Sequence, residues 1–75
     1  MVDAQEVVFI LRRIENDIAK EDNLAHIVQL LASKAVTASE VVRVIDKDMI
    51  KKEEVLHTIA ATCYQQGMTD FFSAF

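Results

Sequence analysis

His26 and His57, the thiol of Cys63 and the carboxylates of Asp46 and Asp48 are the side chains whose types and spacing bear on chemistry. Zinc held on a helix needs ligands that share a face, as two histidines four residues apart do. His26 and His57 lack that spacing and neither stands beside a second thiol, so no metal site is expected. A nucleophilic thiol needs a base against its sulfur. Six residues of helix rotate His57 by about 600° relative to Cys63, which leaves it about 120° off the same face. Cys63 is therefore expected as a small buried apolar side chain. "DKDMIKKEE" opens with Asp46 and Asp48 in the first and third places of a calcium loop. Ile50 in the fifth place, Lys51 where the turn glycine belongs and His57 in place of the bidentate Glu reject that reading. Asp22 and His26, four apart, could form a helical ion pair, an exposed type that contributes only roughly 0.2–0.5 kcal/mol. The single glycine, Gly67, cannot build a phosphate-cradling loop. A catalytic site needs an acid, a base and oxyanion donors held on loops, and this chain has almost no loop surface. The expectation is a protein that is not an enzyme, with no catalytic residues, no cofactor and no small-molecule substrate.

Charge narrows the partners. Eight Lys and Arg against twelve Asp and Glu give a net charge of −4, which disfavours phosphate backbones. Arg43, Lys47, Lys51 and Lys52 form the one basic cluster, and Asp46, Asp48, Glu53 and Glu54 dilute it into a mixed-charge surface. "TASEVVRVIDKDMIKKEEVLHTI" has the outline of a helix-turn-helix with Lys51 and Lys52 on its second helix. The tight turn of that motif wants a glycine, and Glu53 and Glu54 at the front of the reading helix would face phosphates. DNA binding through those four cations is the alternative function.

The elements that must position these side chains are helical. One Gly and no Pro in 75 residues, with 52% hydrophobic and 27% charged, describe an ordered chain of helices and short turns forming a single domain over 1–75. That length is near the lower limit for folding on one core, so oligomerisation is open from the start. "MVDAQEVV" lacks the basic start of a secretory signal, and one cysteine makes no internal disulfide, so a cytoplasmic location is expected. "VVFIL", the longest strongly apolar run, falls far short of the ~20 residues that span a bilayer.

"DAQE" predicts a helix start at Asp3, with Glu6 completing a capping box, and a helix over about residues 4–20. Val7, Leu11, Ile14 and Ile18 lie along one stripe, while Val8, Phe9 and Ile10 widen it. Phe9 is the hardest of these to bury. "KEDNLAHIVQLLASKAV" predicts a second helix capped by Asp22 or Asn23, with Leu24, Ile27, Val28 and Leu31 on one face and a stop near Lys34. Thr37 and Glu40 of "TASE" start a third, followed by Val41, Val42, Val44 and Ile45. Residues 46–51 read as either a turn or helix. Val55, Leu56, Ile59 and Cys63 define a fourth helix over about 51–66, closed by Gly67 as a left-handed cap with Met68 folding back. Thr69 then caps a short terminal helix, "DFFSAF".

A shift of 32 residues lays Leu24, Ile27 and Leu31 over Leu56, Ile59 and Cys63, and "KAVT" over "QGMT". Both segments read as helix, tight turn, Thr cap, helix. Phe71, Phe72 and Phe75 would then sit on the second arm of an α-hairpin. Burying three Phe side chains contributes roughly 4.5–9 kcal/mol as an upper estimate, comparable to the whole stability of a chain this size. At least two of them are expected to dock, on the chain itself or on a partner.

The expected product is an all-α fold, a small helical bundle of about four helices arranged as antiparallel α-hairpins with a short C-terminal helix. Its core is expected to hold Val7, Leu11, Ile14, Ile27, Leu31, Val41, Ile45, Leu56, Ile59 and Cys63. The expected function is protein binding, as a small cytoplasmic adaptor, regulator, inhibitor or chaperone-like accessory. Phe9, Met68, Phe71, Phe72 and Phe75 are the candidate contacts with a protein partner or a second copy.

Overall fold

Four helices form among the described residues: α1 (Ala4–Glu15), α2 (Lys20–Ala32), α3 (Ala38–Asp48) and α4 (Lys52–Gln65). The computed structural model describes residues 3–48, 50 and 52–68, with the side chain of Lys52 excepted. The expected terminal helix, with Thr69, Phe71, Phe72 and Phe75, lies outside the described residues, as does Lys51. Asp3 caps α1 as expected, its Oδ1 accepting from the Glu6 N–H at 2.9 Å. Thr37 does the same for α3, its Oγ1 accepting from the Glu40 N–H at 3.1 Å. Each cap satisfies a backbone donor that the helix itself leaves unpaired.

The helices make one bundle in which α1 touches all three others. Consecutive pairs α1 with α2 and α3 with α4 are in contact, and α4 also packs on α2. A radius of gyration of 10.9 Å is close to the roughly 11 Å of a globular chain of this length, so the helices close on a single core. Leu11, Ile27, Ile45, Ile59, Val41, Val55 and Cys63 are its fully buried members. Val7, Ile10, Ile14, Leu30, Val36, Val44, Ile50, Leu56 and Ala60 complete it. Leu31 is half-buried rather than core, and Leu30 takes the place expected for it.

Three helix ends share one hydrogen-bond pattern, in which a left-handed residue reverses the chain. After α1, Asp17 (φ 57°) is left-handed, its N–H bonding Ile14 O while Ile18 N–H bonds Arg13 O. After α2, Lys34 (φ 61°) does the same with Leu31 O, and Ala35 N–H bonds Leu30 O. After α4, Gly67 (φ 76°) bonds Tyr64 O, and Met68 N–H bonds Cys63 O. These are Schellman motifs, and they satisfy carbonyls that have no partner within the helix. The left-handed residues Lys34 and Gly67 are 33 positions apart, one more than the 32-residue shift of the apolar pattern, and the second arm of the expected second hairpin lies outside the described residues.

The first turn departs from expectation. α1 ends at Glu15, five residues before the expected stop, and Ile18 falls in the turn with 49% exposure instead of extending the core stripe. The α-pattern of the sequence continues through it, but the left-handed Asp17 and Ala19 (φ 45°) rotate the chain off the helix. α2 begins at Lys20 with Ala19 in the cap position and no side-chain cap, so neither Asp22 nor Asn23 caps it. Asn23 is instead buried, and its Nδ2 donates to the carbonyls of Ile18 at 2.7 Å and Ala19 at 2.9 Å. The connection at residues 46–51 resolves in part: α3 continues to Asp48, and Ile50 leaves the helix, buried, its N–H bonding Ile45 O.

Candidate functional site

The outer face of α1 is built around Phe9. Val7, Ile10, Leu11 and Ile14 turn one side of this helix into the core, and at 100° per residue Phe9 points nearly opposite their mean direction. It remains 61% exposed. Arg13, one turn on, holds its guanidinium carbon 5.4 Å from the Phe9 ring centroid, a cation–π contact that props the ring outward. Glu6 lies on the same edge, its Oε1 3.9 Å from Nε2 of His26 on α2. On the other edge Arg12 reaches Glu15 Oε1 at 3.5 Å and donates from Nη2 to the backbone oxygen of Asp48 at 2.6 Å. The result is one large aromatic ring framed by charges of both signs.

Of the expected contact residues, Phe9 is displayed, and Met68 folds back as expected and is half-buried against the core. Its backbone bond to Cys63 pulls it there. Tyr64, 68% exposed on α4, is a large surface side chain not singled out from sequence. Arg13 and Glu6 were also missed as parts of this face, although a cation four residues after an aromatic on a helix is a legible pair. The helical pair Asp22–His26 is replaced in the fold by the contact between His26 and Glu6 across α1 and α2.

Concavities between the helices bear on the remaining expectations. An open groove of about 420 Å³ between α2 and α4 is lined by Leu24, Ala25 and Val28 on one wall and Thr62, Gln65 and Gln66 on the other. Leu24 and Val28, expected on the buried face of α2, are half-buried there, because the deeply buried edge of α2 is Asn23, Ile27 and Leu30. A smaller cleft between α1 and α3 gathers Asp3, Glu40 and Arg43 over Val7, Val36 and Val44.

That cleft bears on the basic cluster. Arg43 and Lys47 are exposed one turn apart on α3, and Arg43 shares its cleft with two carboxylates. Cys63 is buried, and burial pushes its thiol above the ordinary value of 9.0. His57 is exposed, so the structure does not bring the two together. Among the described residues no three His, Cys, Asp or Glu side chains are grouped to hold a metal ion, and no helix is long and apolar enough to cross a membrane.

No protein-family model, curated protein or solved structure matches this chain.

Proposed function

We propose that this chain is a non-enzymatic protein-binding module, a small cytoplasmic adaptor, inhibitor or chaperone-like accessory that engages a protein partner or itself through apolar helical surface. The exposed Phe9 ring carries this reading. Its position opposite the buried stripe of α1 means that no rearrangement of the bundle is needed to cover it. Covering the exposed part contributes roughly 1–2 kcal/mol, and aromatic anchors of this kind dominate binding when packed against a partner. The Arg13 guanidinium above the ring fits the same role, since Arg and aromatic residues are the types enriched in such contacts. Phe71, Phe72 and Phe75 are the further candidate contacts of this reading. Phe9→Ser, Phe71→Ser and Phe72→Ser, made singly, test it by light scattering and by capture of partners, with circular dichroism reporting the fold. Loss of association or capture with an intact fold is the expected result. Unchanged association and capture in all three variants overturns it.

A further inference from the structure

We infer that the outer face of α1 pairs with the same face of a second copy of the chain, antiparallel, about a two-fold axis at Phe9. The inference rests on the protein-binding reading above and names the partner. Its basis is the order of charges around the ring. Glu6 precedes Phe9 by three residues and Arg13 follows by four, which places both on one edge of the ring, about 60° and 40° from it. Along the axis Glu6 lies about 4.5 Å before Phe9 and Arg13 about 6 Å after it. An antiparallel two-fold keeps each edge against its own copy and reverses the axial order. Glu6 then stands beside the partner's Arg13, and Arg13 beside the partner's Glu6, with an axial mismatch of only about 1.5 Å.

A parallel two-fold would put Glu6 and Arg13 on the opposite edge of the seam from their copies and leave Glu6 without an Arg13 beside it, so only the antiparallel arrangement pairs the two charges. The structure holds both groups on the surface. Glu6 is exposed and engaged only loosely, by His26 at 3.9 Å, and Arg13, half-buried, sits over the exposed Phe9 ring. Arg12, on the other edge, is already committed to Asp48 and Glu15 within its own bundle. Three helical turns of contact fall short of the roughly 800 Å² per copy of a standard interface, so the association is weak and concentration-dependent.

The test uses the full chain and the variants Glu6→Arg and Arg13→Glu, with mass measured by sedimentation across a concentration series. Wild type is expected to rise toward twice the monomer mass. Each single reversal creates two like-charge pairs and weakens association by about tenfold or more. Mixing the two single variants restores it, because a heterodimer of Glu6→Arg with Arg13→Glu again sets opposite charges at both positions. Circular dichroism confirms that each variant is folded, and Arg13→Glu alone probes both symmetry-related pairs if Glu6→Arg is not. A wild-type chain that stays monomeric, single reversals without effect, or a mixture that fails to reassociate overturns the inference. A monomer whose capture of a different protein is lost in Phe9→Ser overturns the inference alone and leaves the protein-binding reading standing.

Discussion

Arg12 on α1 donates a 2.6 Å hydrogen bond from Nη2 to the backbone oxygen of Asp48, the last residue of α3. A cation from one helix thus closes the carbonyl end of another, where the helix dipole concentrates negative charge. The two residues are 36 apart in sequence, so the bond also ties α1 to the turn that leads to α4. Arg12→Ala removes a charge-assisted bond at a partly exposed site and is expected to cost about 1 kcal/mol. Arg12→Lys keeps the charge and should recover part of this loss. Urea unfolding of both variants gives the order, and raised salt should narrow the gap between wild type and Arg12→Ala. Equal stability of all three would mean that the contact adds nothing.

Left-handed conformations at Asp17 and Lys34 place side chains where glycine is preferred. Such a residue carries a steric cost of roughly 1–2 kcal/mol, against which glycine loses some unfolded-state entropy. Lys34→Gly is therefore expected to stabilise the fold by about 0.5–1 kcal/mol. Gly67→Ala should do the reverse by about 1 kcal/mol, for backbone reasons alone, since an added Cβ there meets nothing within 4 Å. Thermal unfolding of the pair decides the matter. A destabilising Lys34→Gly would show that the lysine side chain contributes more than the strain removes.

Asn23 is the one buried polar residue among those described. Both bonds from its amide nitrogen go to carbonyls of the turn between α1 and α2, so it fixes the angle at which α2 leaves. Asn23→Asp replaces the donor with a carboxylate facing two carbonyl oxygens. The expected loss is about 3 kcal/mol or more at neutral pH, against about 2 for Asn23→Ala, which takes the side-chain donor from the Ile18 carbonyl without adding a charge, while Ala19 O keeps its 3.0 Å bond from the backbone N–H of residue 23. Acid should narrow the difference between the two, because protonating the introduced carboxylate removes its charge and restores one donor toward the turn. A denaturant series at neutral and acid pH measures it, and a gap between the variants that does not change with pH would sink the account.

Asn23 also marks where sequence and structure part. Its type and place before an apolar run read as a helix cap, because side-chain capping is a local signal. What it does depends on the left-handed Asp17 and Ala19, and alanine carries no sequence signature of that conformation. Gly67 was legible as a helix end because glycine adopts positive φ freely, while the same motif at Lys34 is hidden behind an ordinary side chain. The caps at Asp3 and Thr37 and the α1 stripe were legible for the same reason: each is set within one or two helical turns. Phe9 was legible as exposed because the stripe beside it already filled the buried side. Which edge of α2 faces α1 was not, since Leu24, Val28 and Leu31 match the helical period as well as Asn23, Ile27 and Leu30 do.

Cys63 is fully buried and its thiol is raised by that burial, so the neutral form is favoured in the fold. Two consequences follow, one kinetic and one thermodynamic. A disulfide reagent should label it only as fast as the bundle opens, because the thiolate is the reactive species and neither it nor the reagent is admitted to the core. Added denaturant should accelerate labelling, and rapid complete labelling of the native chain would contradict the burial. In the unfolded chain the thiol ionises first as pH rises, so above about pH 9 the unfolded state holds fewer protons than the native one and stability falls. The contribution is intact below the unfolded pKa and is lost as pH climbs toward the raised native value. Cys63→Ala is expected to cost about 1 kcal/mol at pH 7 through lost packing, and its stability should decline less steeply than wild type above about pH 9. Every other side chain is common to the two proteins, so the difference between the two stability curves isolates the thiol. Parallel curves from about pH 7 to about pH 10.5 would show that the thiol has no such linkage.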